Sequence, residues 1–220
     1  MHKVLVAPKW AAVAMAVALF FVKVPAHAAP IGKATAAFDN TRPERAETPW
    51  GRLVADAMRD TAKSDIALVS ASALNTGTLA AGDVETAQVD ALLKFPEDEV
   101  VAIQLTGAQL RAALERAVHS YPRPSAAFLH ASGFTASFNG QAPINRRVTL
   151  VRFNGKEVDD KDVLICAMPV GLAEGAGGYS TIWNEQGATR TKHELRAAVA
   201  NLIRARKEIT PDPAPRFAAQ

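Results

Sequence analysis

Apolar residues recur along this chain at two spacings, and the alternation between them sketches its elements. Trp50, Leu53, Val54, Ala57, Met58 and Thr61 fall on the i, i+3, i+4, i+7 stripe of an amphipathic helix, and Pro49 suits its first turn. Asp65–Ser70 is a short apolar run that predicts a strand, followed by a small-residue loop through Gly77 and Gly82. A brief helical segment, Thr86–Leu93, ends at Phe95-Pro96, and Glu99–Leu105 reads as a buried strand. Thr106 and Gln109 form a capping box opening a second helix, whose stripe is Leu110, Leu114, Ala117, Val118 and Tyr121. Within Phe128–Phe138, residues Phe134, Ala136 and Phe138 alternate as a strand requires. Val148–Phe153 and a strand near Val158–Val163 flank Asn154-Gly155, a strong hairpin-turn signal. Val163–Val170 is another apolar strand, and a glycine-dense loop covers Gly171–Tyr179. Leu195, Val199, Leu202 and Ile203 mark one face of a last helix over Lys192–Lys207. Helices interspersed with hairpin-joined strands predict an α+β fold, or α/β with a mixed sheet.

The ends depart from this periodicity. Lys3 and Lys9 precede an apolar run from Trp10 to Val22, and Ala26-His27-Ala28 offers a small-x-small cleavage point. That is the pattern of a secretory signal peptide over residues 1–28. The run is shorter than the roughly 20 residues that span a bilayer. The chain is therefore expected to be exported, periplasmic or secreted, with no membrane attachment after signal removal. Residues 29–46, polar, Ala-rich and punctuated by Pro30 and Pro43, read as an N-terminal arm. Residues 47–208 read as the domain, and 209–220, with Pro211, Pro213 and Pro215, as a disordered tail. The formal charge of +3 is carried by Lys3, Lys9 and Lys23, so the rest of the chain is formally neutral. Neutrality removes the argument for a nucleic-acid partner. Arg204, Arg206 and Lys207 close the last helix, where they complement its dipole.

Candidate chemistry is sparse. Outside the signal segment the histidines are His119, His130 and His193, far apart and in no metal-ligand spacing. His119 and His193 read as solvated, and His130 as structural. Asp159, Asp160 and Asp162 lack the spacing of a calcium loop and read as a solvated hairpin end. Cys166, the lone cysteine, lies in an apolar run and reads as a buried thiol. No Gly-x-Ser-x-Gly is present, and the Gly175–Gly178 loop follows no phosphate-cradling pattern. Neither a metal, a cofactor nor an independent catalytic centre is expected.

Six stretches, in order, resemble the C-terminal, substrate-binding domain of the 5′-nucleotidase family of secreted metallophosphoesterases. Glu47 to Arg59 (ETPWGRLVADAMR) is similar to the family's E-x-N-x-G-x-L-V-x-D-A-x-R helix. Asp65-Ile66-Ala67-Leu68, with the loop running to Ala81-Gly82-Asp83, is the second stretch. Phe95, Val100–Leu105 and Thr106-Gly107-Ala108-Gln109-Leu110 resemble P-F-x-N, a strand and T-G-x-x-L. Ala131-Ser132-Gly133-Phe134 and Val151-Arg152-Phe153-Asn154-Gly155-Lys156 follow, and Gly175-Ala176-Gly177-Gly178-Tyr179 is similar to G-G-D-G-Y.

The resemblance implies a domain that clamps a nucleoside between two aromatic rings while a metal pair on another domain attacks the phosphate. It places Phe95, Asn75, Glu97, Gly175, Gly177, Gly178 and Tyr179 at the binding region. Phe95 matches the first ring, whereas Gly171 stands where the second is expected. Gly177 replaces the Asp of G-G-D-G-Y, Asn75 replaces an Arg, Glu97 replaces the Asn of P-F-x-N, and Pro49 replaces an Asn at the helix entry. An early family Arg is displaced by one residue in Arg45-Ala46-Glu47. The expectation is a non-catalytic subunit that recognises a nucleoside or nucleotide and works with a separate metallophosphoesterase. The alternative is an exported module binding a small molecule or protein through a degenerate nucleotide pocket.

Overall fold

Pairing partners, more than the apolar runs themselves, decide how these segments assemble. The computed structural model describes residues 29–220, so the signal-peptide reading of 1–28 lies outside the described residues. Strands β1 (Gly32–Ala34) and β2 (Phe38–Asn40) precede helix α1 (Pro49–Ala62). Then come β3 (Ile66–Ser70), β4 (Gly77–Leu79), β5 (Gly82–Val84) and α2 (Thr86–Ala91). The middle of the chain forms β6 (Glu99–Thr106), α3 (Gly107–Val118), β7 (Leu129–Ser132), β8 (Phe134–Phe138), β9 (Val148–Phe153) and β10 (Lys156–Glu157). The last part forms β11 (Val163–Pro169), the one-turn α4 (Val170–Ala173), β12 (Thr189–Glu194), α5 (Leu195–Arg206), β13 (Glu208–Ile209) and β14 (Phe217–Ala219).

The fold is α+β with mixed sheets. A five-stranded sheet, ordered β12-β6-β11-β3-β7, forms the centre, with β3 and β11 parallel and the other pairings antiparallel. Both faces of β3 are buried, and its residues divide by the period of two. Ile66 and Leu68 join a core with α3, β8, β9, Tyr179 and Trp183. Ala67 and Val69 join a second core with α1, α2, α5 and the N-terminal strands.

The local signals act as read at Pro49, at the capping box and at the hairpin turn, and Thr48 adds an N-cap beyond them. The Thr48 hydroxyl accepts the Gly51 N–H at 3.1 Å to open α1. Gln109 N–H donates to the Thr106 hydroxyl at 3.1 Å, and Thr106 N–H to Gln109 Oε1 at 2.9 Å, completing the capping box of α3. Asn154 and Gly155 both take positive φ (51° and 78°), the geometry of a two-residue type I′ turn, and set Phe153 opposite Lys156.

Four segments differ from expectation. The arm carries β1 and β2, because Ala34 and Phe38 bury their side chains against the second core. The expected disordered tail carries β13 and β14, because Ile209 and Phe217 are buried and β14 pairs in parallel with β8. After Val158 the chain turns, with Asp162 N–H bonded to the Asp159 carbonyl, so only β10 completes the hairpin. Residues 192–194 belong to β12, and the last helix starts at Leu195.

Candidate functional site

Because β3 and β11 run parallel at the centre of the sheet, the chain leaves both at the same edge. β6 and β7, antiparallel to them, begin at that edge. Crevices beyond the carboxyl ends of such strands are where open sheets of this kind collect ligands. The loops there are tied to one another by main-chain bonds. Ala71 N–H donates to the Phe128 carbonyl at 2.8 Å, Ser72 N–H to Ala126 at 2.9 Å, and Lys94 N–H to Ala73 at 2.9 Å.

This edge receives all the residues expected to bind, in different states. Phe95 is 48% exposed, a large apolar ring held out on the turn that its own carbonyl closes with Asp98 N–H at 3.1 Å. The Lys94 ammonium lies 5.9 Å from the ring centroid, within cation–π range. Glu97 is exposed beside it. Asn75 is occupied internally: its amide donates to the carbonyls of Ala91 (3.1 Å) and Leu93 (3.0 Å), fixing the chain that leads to Phe95. Tyr179 is fully buried, donates its hydroxyl to the Ala127 carbonyl at 2.6 Å, and stacks on Trp183 with centroids 4.8 Å apart. It is a pillar beneath the loop, and its phenol has no face left for a ligand.

The glycines of that loop answer to geometry. Gly175 takes φ 94°, and a Cβ there would stand 2.5 Å from Ser180 Cα. A Cβ on Gly178 would stand 2.7 Å from Arg116 Nη2, and the same guanidinium donates to the Gly177 carbonyl at 3.0 and 2.7 Å. Gly171 differs, since its Cβ would meet only Asp98 Oδ2, at the ordinary distance of 3.4 Å.

Two carboxylates that sequence reasoning missed complete the site's charge. Asp98 is half-buried, and burial, then Glu174 and Glu97, hold its carboxyl above the usual carboxylate range, against the Gly171 N–H. The signal for them was present, as Asp98 and Glu174 directly adjoin Glu97 and Gly175. Phe95 therefore carries the Lys94 ammonium over its ring and has Glu97 and Asp98 on its own turn, with Glu174 acting on Asp98, so charges of both signs meet at this edge.

The first resembling motif does a different job. Glu47 is buried, with Oε1 accepting Ala131 N–H (2.8 Å) and Oε2 accepting the N–H groups of Arg216 (2.5 Å) and Phe217 (3.2 Å). Asp56 receives both Arg216 guanidinium nitrogens, at 2.6 and 3.1 Å, and the Ser132 hydroxyl at 2.6 Å. Arg52 donates to the Asp212 carbonyl. These residues hold the C-terminal strand. Among the described residues no group of three or more His, Cys, Asp or Glu side chains converges as a metal site would require.

A family described as 5′-nucleotidase, C-terminal domain, matches residues 30–184. Solved structures of similar fold include a 5′-nucleotidase precursor from Thermus thermophilus, with TM-score 0.79 and 21% identity, covering 87% of this chain and 39% of that one. The NAD nucleotidase of Haemophilus influenzae gives TM-score 0.74 and 15% identity, covering 87% and 38%. A sulfate thiohydrolase, also from Thermus thermophilus, gives TM-score 0.66 and 18% identity, covering 86% and 35%. At these identities the likeness is one of fold, and the chain spans about two-fifths or less of each of these proteins. No curated protein sequence matches it.

Proposed function

Because this chain belongs to the 5′-nucleotidase C-terminal domain family, we propose that it recognises a nucleoside or nucleotide as a non-catalytic subunit of a separate metallophosphoesterase, outside the cytoplasm. The observation that carries this reading is the half-exposed Phe95 ring, standing at the edge where β3 and β11 end. Stacking on such a ring is worth roughly 1–3 kcal/mol per base. The carboxylates of Glu97, Asp98 and Glu174, set against the single Lys94 ammonium at the ring, give the preference within that class. They favour the nucleoside over its phosphorylated form, which fits a subunit that grips the base and leaves the phosphate to its partner. Export rests on the signal pattern in residues 1–28.

A second reading keeps the module and changes the ligand. It is favoured by the internal bonding of Asn75 and Tyr179 and by the missing ring at Gly171, which leave Phe95 as half a clamp.

Thermal-shift titration with adenosine and with adenosine monophosphate, with and without divalent metal, separates these readings. A ligand at about 100 times its Kd stabilises a fold by roughly 2.7 kcal/mol. The expected result is a larger shift for adenosine than for its monophosphate, abolished by Phe95→Ala. No shift with either compound would remove nucleoside recognition and leave the second reading. For the subunit role, mixing the chain with a purified metallophosphoesterase should raise its turnover of nucleotides, and unchanged turnover rejects that role.

A further inference from the structure

A cleft of about 600 Å³ lies between the outer edge of β6 and residues 180–187, away from Phe95. Its loop wall is held from three sides. Tyr179 and Trp183 stack at its base, the Trp183 indole N–H donates to the Leu172 carbonyl at 2.9 Å, and Gln109 Nε2 donates to the Ile182 carbonyl at 2.9 Å.

The strand wall follows from sheet registry. Ile165 of β11 sits opposite Gln104 of β6. Ile165 turns both its main-chain groups towards β3: its N–H donates to Asp65 Oδ2 at 2.8 Å, and its carbonyl accepts Asp65 N–H at 3.0 Å. Facing residues of an antiparallel pair share their hydrogen-bonding sense. The Gln104 N–H and C=O therefore point away from β11, to the edge that β12 covers further back. β12 pairs only as far as Thr189, opposite Ala102. Two residues beyond, Gln104 presents a donor and an acceptor side by side into the cleft.

None of the lining residues is charged, and the side chains of Gln104, Ser180, Thr181, Asn184 and Gln186 add amides and hydroxyls. An ionic ligand would be desolvated there without a counter-charge. A hydroxyl both donates and accepts, so two adjacent hydroxyls can satisfy a neighbouring N–H and C=O together. The volume lies within the range of small-molecule sites. We propose that this cleft binds a small uncharged ring carrying vicinal hydroxyls, supplied either as a free sugar or as the ribose of a nucleoside.

Isotope-edited NMR of the full chain, titrated with ribose, glucose and adenosine, tests this without relying on the Phe95 reading. At least one compound should shift the Gln104 main-chain amide saturably and slow its hydrogen exchange, with or without Phe95→Ala. Gln104→Ala combined with Asn184→Ala should weaken that binding at least about fivefold, the worth of one net hydrogen bond. A response to ribose or glucose identifies a free sugar as the source, and a response to adenosine alone identifies the nucleoside. The proposal is overturned if no compound moves the Gln104 amide saturably, or if Phe95→Ala abolishes every such shift.

Discussion

His130 enters the core as a neutral imidazole. Its Nδ1 accepts the Thr48 N–H at 3.1 Å, which places the ring proton on Nε2, a buried atom with no hydrogen-bond partner among the described residues. The ring packs so closely on α1 that a Cβ at Gly51 would overlap Nδ1, and Phe128 meets it edge-on at 5.8 Å. Burial, reinforced by the Arg52 charge and opposed by the Pro43 carbonyl, lowers its pKa from 6.5 to about 3. Between those values the unfolded chain binds a proton at this residue and the folded chain does not. Stability is thus fully present above pH 6.5 and is lost as pH falls towards 3. The slope of this single contribution is about 1.4 kcal/mol per pH unit. Glu47 works in the opposite sense, because burial raises its carboxyl above 4.5 and its contribution is lost as pH rises through the folded value. Comparing wild type with His130→Asn by urea denaturation between pH 6.5 and 4.5 isolates the histidine. The variant should lose stability less steeply on acidification, and parallel slopes would mean that His130 is not buried neutral.

At the scale of elements, the C-terminal strand carries more than its length suggests. Phe217 is 1% exposed, stacks on Phe128 at 5.6 Å and touches Phe138 at 5.1 Å, while Glu47 and Asp56 hold the main chain and guanidinium of Arg216. Phe217→Ala should cost about 3–5 kcal/mol in chemical denaturation, as for other buried aromatics. A loss comparable with that of an exposed substitution would show the tail to be undocked. Nothing in the tail's own composition announces this role. Three prolines in twelve residues read as disorder, and its large aromatic anchor, Phe217, finds its partners more than 75 residues earlier in the chain. The arm is equally opaque, resting on Ala34 and Phe38, and β12 is nearly all exposed and has no alternation to read. Where burial is periodic and local, as in α1 and α3, or where turn chemistry is explicit, as in the capping box and Asn154-Gly155, the element could be placed from sequence. Segments ordered by long-range pairing could not.

On the scale of the whole molecule, the expected binding residues were legible only through resemblance, because positions 75, 95–97 and 171–179 share no pattern of their own. What unites them is the parallel pairing of β3 with β11 and the antiparallel entry of β6, which bring three loops to one edge. The same topology makes the missing half of the clamp testable. Gly171 opens onto that edge beside Asp98, close to the turn that carries Phe95, and its Cβ position is free of steric conflict. It lies in α4 without positive φ, so a side chain there meets no backbone penalty. Gly171→Phe should then place a second ring on the loop after β11, facing the ring on the loop before β6. If the two rings enclose a base, adenosine should bind more tightly by the worth of one stacking contact, roughly 1–3 kcal/mol or about 5- to 150-fold in Kd. The gain should vanish in the double variant with Phe95→Ala, because a clamp needs both sides. Equal affinity for adenosine in wild type and Gly171→Phe would mean that the loops, though gathered at one edge, do not oppose their rings, and that Phe95 works there as a single stacking platform with no clamp to restore.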